Sequence, residues 1–208
     1  MCDLADTYRR AGKLDQALPL HEEALKLTKT KLGPYDEETL RMMGNLVITY
    51  KQAGKLDQAL PLAEETLKLM KAKLGPDHPE TLLSMLNLAL NYKQTGKLDQ
   101  ALPLFRAAAE KDGVEALNHF AWLLATCSDS ALRDGRSAVG YAEKAVAKTQ
   151  RKDPGILETL AAAYAEAGEF VKAANVQREA ISLIQDEKAK NDLTPRLKLY
   201  ESKTPFRE

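Results

Sequence analysis

The chain has little with which to do chemistry. Its two cysteines, Cys2 and Cys127, are too few and too far apart for a disulfide framework, and read as reduced thiols. Charge of one sign is missing: 30 basic and 30 acidic residues cancel, with 16 of each in residues 1–112 and 14 of each beyond. That balance implies no basic face for nucleic acid and no acidic tail. No uninterrupted apolar run approaches the roughly 18 residues a membrane span needs. The opening Met-Cys-Asp-Leu-Ala-Asp has neither a basic region nor an apolar signal core, so cytoplasmic residence is the default expectation. There is no glycine-rich phosphate loop, no serine nucleophile motif and no Cys–His arrangement. His21, His78 and His119 fall in different structural contexts, none at ligand spacing, so no metal or cofactor is expected. The glutamate pairs Glu22-Glu23, Glu37-Glu38 and Glu64-Glu65 point in different directions on a helix and make poor catalytic pairs. Catalysis is not expected of this chain.

What the chain has is repetition. Gly-Lys-Leu-Asp-Gln-Ala-Leu-Pro-Leu begins at Gly12 and recurs unchanged at Gly54 and Gly96, each 42 residues after the last. Residues 1–42 and 43–84 agree at 27 of 42 positions, counted directly. A fixed period of this size marks an array in which each unit buries its apolar face against the next. Ala, Leu, Glu and Lys dominate, aromatics are sparse at 6%, and apolar residues recur at three- and four-residue steps, which is the pattern of paired helices. In the second unit one stripe runs Leu40, Met43, Leu46, Val47, Tyr50 and closes at Gly54. The next runs Leu56, Ala59, Leu60, Ala63, Leu67, Met70 and closes at Gly75. Asp77 and Glu80 have capping-box spacing before the following helix, with Pro79 in its first turn. Pro19, Pro61 and Pro103 fall at one register early in each second helix, and should bend it as part of the unit's shape.

The same logic gives the organisation. Residues 1–112 read as three near-identical hairpins, the first one truncated; 113–185 as two divergent hairpins; and 186–208 as a capping helix and tail. In the fourth hairpin the connection around Cys127 and Gly135 is longer. Met1 aligns with Met43 and Met85, well inside a first helix, so the chain reads as a piece of a longer array or one starting on a damaged repeat. Its uncapped first hairpin is then expected to pair with a second copy or to fray.

The recurrence of Leu4, Ala5, Tyr8, Gly12, Ala17 and Ala24 is where a family becomes recognisable. It returns as Leu46, Val47, Tyr50, Gly54 and Ala59, as Leu88, Ala89, Tyr92, Gly96, Ala101, Phe105 and Ala108, and as Leu160, Ala161, Tyr164, Gly168, Ala173 and Ala180. This resembles the tetratricopeptide repeat. The 42-residue period, with Leu-Gly-Pro-Asp-His-Pro-Glu-Thr-Leu ending at Leu82, is similar to its kinesin-light-chain type. The fourth unit departs, with Leu124 at the tyrosine position, and resembles bacterial segments of the family. The resemblance implies an all-α fold, a right-handed α-solenoid of stacked helical hairpins whose first helices line a concave groove.

It also implies a non-catalytic scaffold that binds a protein or peptide, as an extended segment or a helix, in that groove. The alternative is a structural spacer or self-association module within a larger multidomain protein. Carried over by position, the groove residues are Asn45, Asn87, Asn118 and His119, then Ile48, Leu90 and Trp122, with Arg41, Lys51, Gln52, Lys93 and Gln94 beside them. An asparagine both donates and accepts, so it holds peptide backbone without demanding a side chain. The basic residues would favour a carboxylate, whereas Asp3 and Asp6 would make the first unit's end acidic. Trp122 reads either as filler of the fourth hairpin's core, the preferred placement, or as an aromatic anchor for a ligand. His21 takes the place of Ala63 and Phe105 and is expected to pack. Specificity is expected where the copies differ, at Asp3, Asp6, Asn118, His119 and Trp122.

Overall fold

A computed structural model describes residues 2–208. Among the described residues the regular structure is entirely helical. Helices α1 (Cys2–Arg10) and α2 (Leu14–Lys31), α3 (Glu37–Gln52) and α4 (Leu56–Leu74), and α5 (Pro79–Gln94) and α6 (Leu98–Ala109) form the repeated hairpins. Helices α7 (Val114–Thr126) and α8 (Gly135–Lys148) follow, then α9 (Pro154–Glu166) and α10 (Phe170–Leu183), and last α11 (Glu187–Glu201). The chain divides into two compact units, Met1–Leu104 and Phe105–Glu208. In the first, α1 to α4 each pack on the next helix in sequence; in the second, α7 to α10 do the same. First helices also touch across each hairpin, α1 with α3 and α7 with α9, so each unit has a face built from first helices.

The recurring tyrosine and glycine show why the hairpin repeats. At the end of α3, Lys55 N–H donates to the Tyr50 carbonyl at 2.9 Å and Gly54 N–H to that of Lys51 at 3.1 Å. This six-to-one closure needs a left-handed residue, and Gly54 sits at φ +71°. The same closure follows α1, α5 and α9, from Lys13, Lys97 and Glu169 onto the carbonyls of Tyr8, Tyr92 and Tyr164. Five residues after each glycine an alanine (Ala17, Ala59, Ala101, Ala173) is fully buried, a side chain small enough to let two helices approach closely. The prolines Pro19, Pro61 and Pro103 lie inside continuous helices.

One local expectation needs correction. The cap of α5 is His78, not Asp77: its Nδ1 accepts from Glu80 N–H at 3.3 Å, as Asp36 Oδ1 accepts from Glu38 N–H at 2.9 Å one repeat earlier. Glu22 and Glu64 join neighbouring hairpins. Each accepts at 2.7 Å from the tyrosine hydroxyl of the next hairpin, Tyr50 and Tyr92, and Glu143 accepts likewise from Tyr164. Burial and the adjoining carboxylate push each phenol up to about 12, so these latches keep their proton through the neutral range.

Beyond α10, α11 packs on it, with Tyr200 only 1% exposed and Gln177 donating to the Leu193 carbonyl at 3.3 Å. Pro195 lies within α11, which runs unbroken. No helix among the described residues is long and apolar enough to cross a membrane.

Candidate functional site

On the first-helix side of unit 1, α3, α4 and α5 enclose a cavity of about 160 Å³. Its apolar lining includes Val47, Ile48, Ala63, Met70 and Leu83; its polar lining is Arg41, Asn45, Thr66, Glu80, Ser84 and Asn87. The register explains the void. Ala63 stands where the neighbouring repeats carry His21 and Phe105, both fully buried. The second hairpin, with alanine at this position, has the cavity beside it.

Of the residues the sequence singled out, Arg41, Asn45, Ile48 and Asn87 come together around this cavity. Arg41 is exposed and held by Glu38 at 2.7 Å, and Asn45 Nδ2 donates to Asp6 Oδ2 at 3.3 Å. Leu90, Lys51, Gln52, Lys93 and Gln94 lie elsewhere on α3 and α5, outside the lining. Burial pulls the half-buried Lys51 below the ordinary lysine value. The acidic end expected from Asp3 and Asp6 is partly neutralised: Asp6 Oδ1 takes Arg9 at 3.1 Å and lies 3.6 Å from His21 Nε2. His21 packs as expected, though into a polar cluster with Thr49, 3.0 Å from its Nδ1.

In unit 2, Asn118 and His119 sit on α7, and His119 faces the Phe105 ring with centroids 6.4 Å apart. Trp122 corrects the preferred reading: it is half-buried, not in the hairpin core. Its indole Nε1 donates to Glu208 Oε2 at 3.0 Å, and its ring lies 5.8 Å from that of Phe206. Residues 204–208 thus fold back over α7. Neither this return nor the cavity at Ala63 was foreseen. The cavity did have a signal: a position that changes from His to Ala to Phe along repeats that are otherwise closely similar.

Among the described residues no cluster of His, Cys, Asp and Glu is placed to hold a metal ion. A family model described as tetratricopeptide repeat matches residues 1–72 and 49–112, more than half of the chain. The chain belongs to the tetratricopeptide repeat family. Solved tetratricopeptide structures agree in fold. One holds the nearly identical TPR-like repeats of a kinesin-light-chain candidate from Podosopora anserina, at 21% identity and a TM-score of 0.72, covering 93% of this chain and 94% of that one. Another is BtubC (BKLC) from P. vanneervenii, at 24% identity and a TM-score of 0.73, covering 90% and 78%. A tetratricopeptide repeat protein from Parabacteroides merdae matches at 19% identity and a TM-score of 0.70, covering 97% and 72%. No curated protein sequence matches significantly. Tetratricopeptide repeats generally serve as protein–protein interaction scaffolds, and the fold of this chain is similar to that of the kinesin-light-chain candidate.

Proposed function

We propose that this tetratricopeptide array is a non-catalytic capture surface for a protein segment, bound along the first-helix face of unit 1. One apolar side chain of the ligand enters the cavity above Ala63. Asn45 and Asn87 hold its backbone, while Arg41 offers a guanidinium at the rim. Lys51, Gln52, Leu90, Lys93 and Gln94 extend the same surface along α3 and α5. The observation that carries the reading is the cavity itself, beside the position where this repeat has alanine and its neighbours have rings. A preformed pocket leaves most of the ordering cost with the ligand.

Peptides selected from a displayed library against the purified chain provide the test. Ala63→Phe fills the cavity from within, with the residue type that position 105 carries one repeat later. It is expected to weaken the selected peptides at least about tenfold, equivalent to ~1.4 kcal/mol, with helix content unchanged. Asn45→Ala with Asn87→Ala should weaken them further. Peptides that bind Ala63→Phe as tightly as the natural chain would remove the cavity from the function. Light scattering on the same samples separates capture from self-association through the first hairpin, which would appear as concentration-dependent oligomers without added peptide.

A further inference from the structure

We propose that the first-helix face of unit 2 is a second peptide site, independent of the cavity at Ala63. Its ligand class is an extended segment bearing an aromatic ring, a guanidinium and a carboxylate in that order, and residues 204–208 occupy it in cis. The segment is delivered by the end of α11. Lys203 sits in the left-handed region at φ 58°, and Thr204 N–H closes onto the Leu199 carbonyl at 2.8 Å, which reverses the chain. Residues 204–208 then run without regular structure over α9 and α7.

Three subsites receive them. Phe206 lies beside Trp122, and the Arg196 guanidinium covers both rings, 4.5 Å from the Phe206 centroid and 5.2 Å from that of Trp122. Glu158, paired with Arg196, holds that guanidinium in place. Arg207 meets Glu166 Oε2 at 2.5 Å, a carboxylate only 14% exposed and already oriented by Arg133 at 3.0 Å. Glu208 accepts from the Trp122 indole, and its backbone N–H donates to the Thr126 carbonyl at 2.9 Å, while Arg207 Nη1 donates to that of Ala125 at 3.3 Å. Those carbonyls belong to the last turn of α7, where a helix has acceptors to spare and favours a cation.

The mode of contact is that of a ligand and not of a core element. The packing against α10 is made by α11, whose Tyr200 is buried; of the segment, Thr204, Arg207 and Glu208 are exposed and Phe206 is half-buried. Surface ion pairs and single hydrogen bonds of this sort stand close to balance with the entropy of ordering five residues. The segment can therefore exchange with a competitor. Because it is tethered, it competes at high effective concentration, and an outside peptide sees a weakened site.

Trp122 is the only tryptophan, so its fluorescence reports the site directly. In the full chain, Phe206→Ala with Arg207→Ala should release the segment. Acrylamide quenching of Trp122 is expected to rise at least about twofold, with far-UV dichroism and Tm essentially unchanged. A Thr-Pro-Phe-Arg-Glu peptide, acetylated and amidated, should bind this variant and restore the shielding. It should bind the natural chain at least about tenfold more weakly, and Thr-Pro-Phe-Glu-Arg should bind neither. Unchanged quenching, or a peptide that fails to bind the released variant, would overturn the proposal. So would loss of helix in that variant, which would make the segment a structural strap. Glu166→Gln, which keeps the shape of the socket, should lower peptide affinity in the released background; equal affinity would refute the guanidinium subsite.

Discussion

At the residue scale, the most informative departure among the three copies is paired. The second and third hairpins hold Ile48 with Ala63 and Leu90 with Phe105, whereas the first holds Asp6 with His21. Two apolar positions have become polar together, because a buried imidazole needs partners. The Thr49 hydroxyl donates its one proton to the Asn45 carbonyl at 2.8 Å, so the His21 Nδ1–H donates to Thr49 Oγ1 and Nε2 faces Asp6. Burial lowers the His21 pKa, Asp6 opposes that shift, and Arg9 adds to it. A lowered pKa in the fold means that protonation favours unfolding. The contribution is fully present above the unfolded value near 6.5 and is lost as the pH falls through the lower folded value. Urea unfolding of the natural chain should therefore weaken between pH 7.5 and pH 5. Asp6→Ile with His21→Ala installs the second hairpin's pair and should flatten that slope. His21→Ala alone should cost about 1–3 kcal/mol, because it leaves the Thr49 hydroxyl oxygen without its donor and opens a gap in the packing. Equal slopes in the natural chain and the double variant would refute the assignment. The sequence marked His21 as a packing residue but not its partners, since Asp6 and Thr49 reach it only through the fold.

At the element scale, the helices and their order were legible because each stripe is punctuated: Tyr, then Gly, then a buried Ala. The connection between α7 and α8 was legible only as length. In the structure it is a tied segment, with Arg133 donating to the carbonyls of Cys127 and Ser128 and pairing with Glu166. At its end, Gly135 opens α8 against the turn that follows α9. A Cβ there would stand 2.6 Å from the Ala167 nitrogen and 2.7 Å from the Glu166 carbonyl carbon, and backbone cannot yield as a flexible side chain can. Gly135→Ala should thus destabilise by about 1–3 kcal/mol. Gly140, also in α8, is exposed and has nothing within 4 Å of its would-be Cβ. Gly140→Ala should stabilise by about 0.5–1 kcal/mol through helix propensity. Thermal melts of the two variants should move in opposite directions, and a neutral Gly135→Ala would show that the approach is not tight. No local pattern distinguishes these glycines, because the difference lies in another hairpin's backbone.

At the scale of the whole molecule, the 42-residue period made the architecture readable before any contact was known, because an array repeats its interface as well as its unit. Glu22 meets Tyr50, and Glu64 meets Tyr92, at the same 28-residue separation and the same 2.7 Å. What the period could not reveal was anything that breaks it: the void at Ala63, and residues 204–208, which have no periodicity and no second copy for comparison. The equivalence of interfaces is itself testable. A chain carrying residues 43–84 twice in succession sets a second Tyr50 against the first copy's Glu64, the same pair of residue types at the same register. The new junction keeps the register of the interface between the second and third hairpins, with Gly44, Val47, Ile48 and Thr49 in the places of Leu86, Ala89, Leu90 and Asn91. In a quasi-one-dimensional array, stability is a sum of unit and nearest-neighbour terms. The lengthened chain should therefore fold, gain far-UV helical signal in proportion to its added residues, and show a larger urea m-value from the extra buried surface. Its midpoint should not fall below that of the natural chain. An aggregated product, or a midpoint well below the natural one, would mean that the near-identical hairpins are not interchangeable, and that the substitutions between them (His21 to Ala63 to Phe105 foremost) set a fixed order along the array.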